Sequence, residues 1–199
     1  MAIATPKRFT LAEYHRLTEL SFFQEDERIE LIRGQIIQMA AKGTAHEVCI
    51  TRLLRELLKL LGEQAILRCQ SPIVLLDDSE PEPDFSIVQN REDEYLSAHP
   101  GAADVFLVIE ISDSSLSYDQ ETKLPLYAES EISNYWILNL PENCLEAYSE
   151  PYQKPTGEFG YRMKRIVLVE EAIALPYFPD RQLHLTKVFP RQIDIQGAS

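Results

Sequence analysis

The run VFLVIEIS, residues 105 to 112, constrains this chain more than any other segment. On a strand, Val105, Leu107, Ile109 and Ile111 share one side, while Phe106, Val108, Glu110 and Ser112 share the other. Both sides are apolar up to Glu110, the pattern of a strand covered on both faces at the centre of a sheet. A carboxylate at such a place costs several kcal/mol unless it is paired, hydrogen-bonded or bound to a cation. Two readings of Glu110 stand. Either it is a buried functional acid, or the strand emerges into solvent there, since SDSSLS follows.

The flanking pattern supplies the rest of the sheet and its cover. Phe9 to Leu20 reads as a helix capped by Thr10, with Glu13 three residues on and Phe9 and Tyr14 in the staple positions. RIELIRGQIIQMA predicts a hairpin turning at Arg33-Gly34. Thr44-Ala45-His46-Glu47 reads as a second capping box, opening an amphipathic helix through Leu53, Leu57 and Leu61 that Gly62 ends. Further β-prone runs are Ala65 to Leu76, Asp84 to Val88 and Tyr135 to Leu140. Ser117 to Glu131 predicts a helix with Ser117 and Gln120 as a capping pair, kinked or starting late because of Pro125. Cys144 to Val169 predicts a β-meander. The expected architecture is a single α/β (α+β) domain over residues 1–199, a mixed central β-sheet flanked by helices.

Charge narrows the function classes. Lys+Arg number 19 against Asp+Glu 32, a formal net charge of −13, which excludes a protein that coats nucleic acid through a basic surface. It leaves room for a nucleic-acid enzyme whose metal ions bridge acidic side chains to phosphate. Between residues 77 and 94 there are eight acids and one base, so the imbalance is concentrated around Asp84. The 3 cysteines lie far apart and form neither a disulfide framework nor a zinc motif. No run approaches the apolar length of a membrane span, so a cytoplasmic protein is expected. A Walker loop, a dinucleotide-binding glycine fingerprint and a nucleophile elbow are all missing.

The candidate site residues are acids and one lysine. Asp84, in PEPDFSIV, sits at the start of a strand and reads either as a turn aspartate or as a second strand-borne carboxylate. Pairing of its strand with that of Glu110 would hold both around one Mg2+, which favours hard oxygen ligands. Lys123 lies with Asp119 and Tyr127 on one helix face. It reads either as half of a surface ion pair or as an ammonium folded back over the sheet to orient water or offset phosphoryl charge. Glu30 interrupts an apolar run and reads as a strand-edge residue or a further ligand. His46 reads as a packing or hydrogen-bonding residue. Arg52, Arg55 and Lys59, and separately Arg162, Lys164 and Arg165, are the candidate phosphate contacts.

Taken in order, ELIRGQII, TAHEV, PEPDFSIV, FLVIEIS, DQETK, Tyr127, NYWIL and the closing LPYFPDRQLHL-TKVF resemble the Uma-type family of "putative restriction endonucleases". That family, abundant in cyanobacteria, belongs to the PD-(D/E)XK nuclease superfamily, and the likeness runs from about Phe9 to Phe189. The resemblance implies a restriction-endonuclease-like core. It makes Asp84 the aspartate of the PD element and Glu110 the acid of the (D/E)XK element, with Glu30 an additional acidic contributor. Ser112 stands where the motif lysine would be, and that role passes to Lys123. Asp113 replaces a usual proline, and Pro125 lies two residues past Lys123.

The expected function is a Mg2+- or Mn2+-dependent DNA endonuclease. In it Asp84, Glu110 and Glu30 serve the metal, Lys123 positions or activates water and DNA is the substrate; oligomeric state is left open, with a homodimer as one option. The rival is a weak or inactive nuclease-fold module that binds a protein or mobile-element partner. A hydrolase of small phosphorylated molecules is the third reading.

Overall fold

The computed structural model describes residues 5–24 and 27–190. In chain order it comprises α1 (Leu11–Glu19), β1 (Ile29–Ile32), β2 (Gln35–Gln38), α2 (Thr44–Leu61), β3 (Ile66–Cys69), β4 (Phe85–Val88) and β5 (Val105–Ser112). There follow α3 (Leu116–Tyr118), a π-helical turn (Asp119–Lys123), α4 (Leu124–Glu129), β6 (Asn134–Asn139), β7 (Cys144–Gln153), β8 (Phe159–Leu168), β9 (Ala172–Leu175) and β10 (Phe178–His184). β3 to β8 form a six-stranded sheet in sequence order, and β5 is an interior strand, as its two apolar faces require.

Every pairing in that sheet is antiparallel except β5 with β6. A parallel pair cannot be joined by a tight turn; the chain must cross over a face of the sheet. The crossover here is α3, the π turn and α4, and it lies over the face that carries Glu110. Leu126, Tyr127 and Ile132 of this region pack with Val108, Tyr135 and Ile137 in one core cluster. The opposite face holds Leu107, Ile109, Ile111 and Trp136, against Leu53, Leu57 and Leu61 of α2 and Leu175 and Leu183 of the β9–β10 hairpin.

Several local expectations change. The alternation along β5 holds from Leu107 onward but inverts before it. Ile87 faces Leu107 while Val88 faces Val105, so a bulge at Phe106 turns Val105 toward the Glu110 face. The run from Ala65 to Leu76 is a strand only over Ile66–Cys69, because Gln70 takes φ 49° and Pro72 has no N–H to offer. Gly43, not Thr44, flanks α2, and no side chain caps that end; Thr44 is already helical. The capping box at Thr10 and Glu13 does form. The single helix expected from Ser117 is split, and Ser117 caps nothing. Pro125 sits in the first turn of α4, where a missing N–H is harmless, so it leaves Lys123 in place.

The β1–β2 hairpin turns at Arg33 and Gly34, with φ of 49° and 71°. A Cβ at Gly34 would stand 2.9 Å from the Phe9 carbonyl oxygen, so glycine is required there on two counts. The hairpin anchors Glu30 beside the sheet, since the Glu80 N–H donates to the Leu31 carbonyl at 2.7 Å.

Candidate active site

The antiparallel register of β4 and β5 sets Phe85 against Ile109, which brings Asp84 alongside Glu110 at the end of the pair. The backbone ties each acid to the other's strand. The Ile111 N–H donates to Asp84 Oδ2 at 2.9 Å, and the Asp84 N–H to Glu110 Oε2 at 3.3 Å. The crossover then delivers Lys123, whose Nζ donates to Glu110 Oε1 at 2.9 Å and to Glu30 Oε1 at 3.1 Å. The Tyr127 hydroxyl donates to Glu110 Oε1 at 2.8 Å. Glu30, Asp84, Glu110 and Lys123, the four proposed site residues, therefore meet in one place, and all are buried.

The helix-face grouping of Asp119, Lys123 and Tyr127 survives the π turn, but Asp119 and Lys123 are no surface pair. Asp119 accepts from Ser112 Oγ at 2.6 Å and from Ser115 Oγ at 2.7 Å. Ser112, at the position of the missing motif lysine, thus pins the start of the crossover, while Lys123 enters from above. Two further residues reach Asp84. Lys42 Nζ donates to Oδ1 at 2.8 Å, and His46 Nε2 lies 2.9 Å from Oδ2. A carboxylate can only accept, so the His46 proton is on Nε2. His46 is the hydrogen-bonding residue the sequence suggested. Lys42 escaped sequence reading because it lies in the segment before α2, outside any periodic element.

Electrostatics sort these groups. Burial opposes ionisation of Asp84, but His46 and Lys42 outweigh it and hold the carboxyl far below the usual range. Burial pushes the Glu110 carboxyl upward against Lys123, with Asp119, Asp84 and Glu30 adding repulsion. Burial would neutralise Lys123, yet Glu110, Glu30 and Asp119 raise it well above its ordinary value, so it stays a cation. Burial and Glu110 likewise keep the Tyr127 phenol protonated.

A cavity of about 80 Å3 opens on this cluster, and Glu30, Glu82, Asp84, Glu110, Asp113 and Asp119 line it with Arg28, Lys42, His46 and Lys123. Of the acid-rich stretch, only Glu82 and Asp84 line this cavity. Glu80 pairs with His15, and Asp93 accepts from Ser97. The candidate phosphate contacts lie elsewhere. Arg52 Nη1 donates to the Phe189 carbonyl, Lys59 pairs with Glu56, and Arg162, Lys164 and Arg165 occupy the edge strand β8.

The donor set fits a divalent cation. Carboxylate oxygens are the hard ligands that Mg2+ and Mn2+ prefer. They outnumber the cations around the cavity, and Glu30 Oε2 is buried without a hydrogen-bond partner. Among the described residues no three acidic, histidine or cysteine groups already share a metal-ligand geometry; Lys42 and His46 pair with Asp84, and Lys123 bridges Glu30 and Glu110.

Residues 11–186 match the Uma2 family, described as "Putative restriction endonuclease". The chain belongs to the Uma2 family. No curated protein matches it. Among solved structures, a crystal structure from Anabaena variabilis ATCC 29413, described as a putative nuclease belonging to DUF820, superposes with a TM-score of 0.69. The match covers 91% of this chain and 97% of that one at 15% identity, a likeness of fold. The restriction-endonuclease-like mixed sheet expected from sequence is thus the Uma2 fold found here. Among the described residues no helix is long and apolar enough to cross a membrane.

Proposed function

We propose that this Uma2 protein is a metal-dependent DNA endonuclease. The observation that carries the reading is the delivery of Lys123 by the crossover onto Glu30 and Glu110, beside Asp84, at the floor of a cavity rich in carboxylates. Asp84, Glu110 and Glu30 would hold Mg2+ or Mn2+, with the unpartnered Glu30 Oε2 free to serve. When bound, such an ion would act as a Lewis acid on the phosphodiester, offsetting charge that develops on its oxygens and easing loss of a proton from the attacking water.

The chain's own residues do the positioning. Lys123, a cation held between Glu30 and Glu110, offers a fixed positive charge to negative charge developing on phosphoryl oxygen. Glu30 and Glu110 fix that ammonium's direction, and the Tyr127 hydroxyl holds Glu110 in turn. His46 and the Ile111 N–H orient Asp84, and Ser112 and Ser115 lock the crossover through Asp119.

Cleavage of supercoiled and linear DNA by purified protein with Mg2+ or Mn2+ tests the reading. Asp84→Ala and Glu110→Gln should each lower the rate by about 10^3-fold or more, as expected for loss of an acid on which metal catalysis depends. Cutting that survives both substitutions would sink the assignment. A second reading, an inactive nuclease-fold module serving a protein or mobile-element partner, draws on the three donors already on Asp84, from Lys42, His46 and the Ile111 N–H. Mn2+ calorimetry separates the two, since the module needs no ion.

A further inference from the structure

The cations around the acids are not equivalent. Lys123 is 1% exposed, tied to two carboxylates and carried on the crossover. His46 belongs to α2 and is 8% exposed. Lys42 precedes α2 in a segment outside any helix or strand, and its side chain is 17% exposed. It makes the only hydrogen bond to Asp84 Oδ1 among the described residues, whereas Oδ2 has both His46 and the Ile111 N–H.

We propose that Lys42 is a displaceable counter-ion: it holds Asp84 Oδ1 in the metal-free protein and gives way when a divalent cation binds. The inference rests on the metal-dependent reading above and names how the same site is kept closed. An ammonium is a compact charge that seeks several oxygen acceptors, so it is a fair stand-in for a hard cation at a carboxylate. It is also the weaker occupant, with one positive charge where carboxylates outnumber cations. Exchange of a single charge for a double one improves the balance, and Lys42 alone can leave without stranding a buried ammonium. Its flexible stem carries the charge out to solvent, while Lys123 would have to break two buried pairs.

Mn2+ titration of the wild-type chain, Lys42→Gln and Lys42→Arg tests this by calorimetry, with thermal melting alongside. Removal of a competing charged partner should tighten Mn2+ binding by about tenfold in Lys42→Gln, the scale of one charge-assisted hydrogen bond. Lys42→Arg keeps a competing cation and should stay near wild type. Without metal, Lys42→Gln should melt below wild type, and saturating Mn2+ should raise it by more than it raises wild type. Should Lys42→Gln not fold, lysine acylation of the wild-type chain read by mass spectrometry answers the same question. Labelling of Lys42 should rise several-fold with Mg2+ while Lys123 stays protected.

Wild-type binding with equal or weaker affinity in Lys42→Gln would overturn the inference and leave the metal reading standing. Unchanged Lys42 labelling on metal saturation would do the same. No Mn2+ binding by any of the three proteins would bring down the metal reading and this inference with it.

Discussion

Two buried carboxylates sit on the same face of the sheet, two strands apart. Glu110 on β5 faces Ile137 on β6, and Ile137 faces Glu146 on β7. They are 4% and 3% exposed, so burial alone does not tell them apart. Their company does. Glu146 accepts from Gln120 at 2.9 Å, from Asn139 at 3.1 Å, from the Tyr148 hydroxyl, and from Lys164 at 2.8 Å. One cation and three neutral donors complete it. Glu110 shares its lysine with Glu30, lies against Asp84, and belongs to a cavity whose acids exceed its cations. A buried acid therefore points to chemistry when its surroundings carry unsatisfied anionic capacity and an opening, and to structure when neutral donors close around it.

The largest test of this contrast is the lysine of each cluster. Lys123→Met removes the cation from between two buried carboxylates and should cost about 3–5 kcal/mol, the range for breaking a buried pair from one side. Lys164→Met should cost about 1 kcal/mol or less, because Lys164 is 44% exposed and Glu146 keeps its neutral donors. Urea unfolding of both variants at neutral pH measures the difference. Equal losses would mean that Glu146 depends on its lysine as Glu110 does, and the contrast would collapse.

The tyrosines sharpen it at a smaller scale. Tyr127→Phe and Tyr148→Phe each delete a hydroxyl that donates to a buried carboxylate, and each should cost about 1–2 kcal/mol. They should part company in Mn2+ affinity. Tyr127→Phe changes a group on Glu110 and should alter it, while Tyr148→Phe should leave it within about twofold, as expected for independent sites. A shift caused by Tyr148→Phe alone would show that the two clusters are coupled through the Tyr127, Tyr135 and Tyr148 rings, whose neighbouring centroids lie 4.8 and 6.0 Å apart.

The contrast also explains how much was legible in the sequence. Glu110 was conspicuous because it interrupts a run apolar on both faces, and Asp84 followed once its strand had a partner to pair with. Lys123 and Tyr127 were readable by helical spacing. The π turn shifts the phase of the crossover without removing either from its face, because the parallel β5–β6 pair forces that crossover over the sheet. Lys42 was not legible, since its role depends on where the segment after β2 passes and not on any period. The bulge at Phe106 had no local marker either; it comes from the register with Val88. Glu146 carries no such signal, since it lies in CLEAYSE within the predicted meander, where a single polar residue is ordinary. The cations of β8 looked like phosphate contacts, but they line an exposed edge strand, where charge discourages pairing with another chain.

The smallest effect concerns pH and the closed cluster. Burial raises the Glu146 carboxyl, but hydrogen bonds from Lys164, Tyr148, Asn139 and Gln120 outweigh it and hold it below the ordinary glutamate range. A carboxyl lowered by folding stabilises the protein above its unfolded value, about 4.3, and that contribution fades as pH falls through that value toward the folded one. The stability gap between wild type and Glu146→Gln should thus be flat from about pH 6 to 8 and narrow below about pH 4. Denaturant unfolding of both proteins across that range reads the gap directly, with acid effects elsewhere common to the pair. A gap that stays constant through pH 4 would mean that neutral Glu146 is held as well as the carboxylate. Its neutral donors, and not its charge, would then be what sets it apart from Glu110.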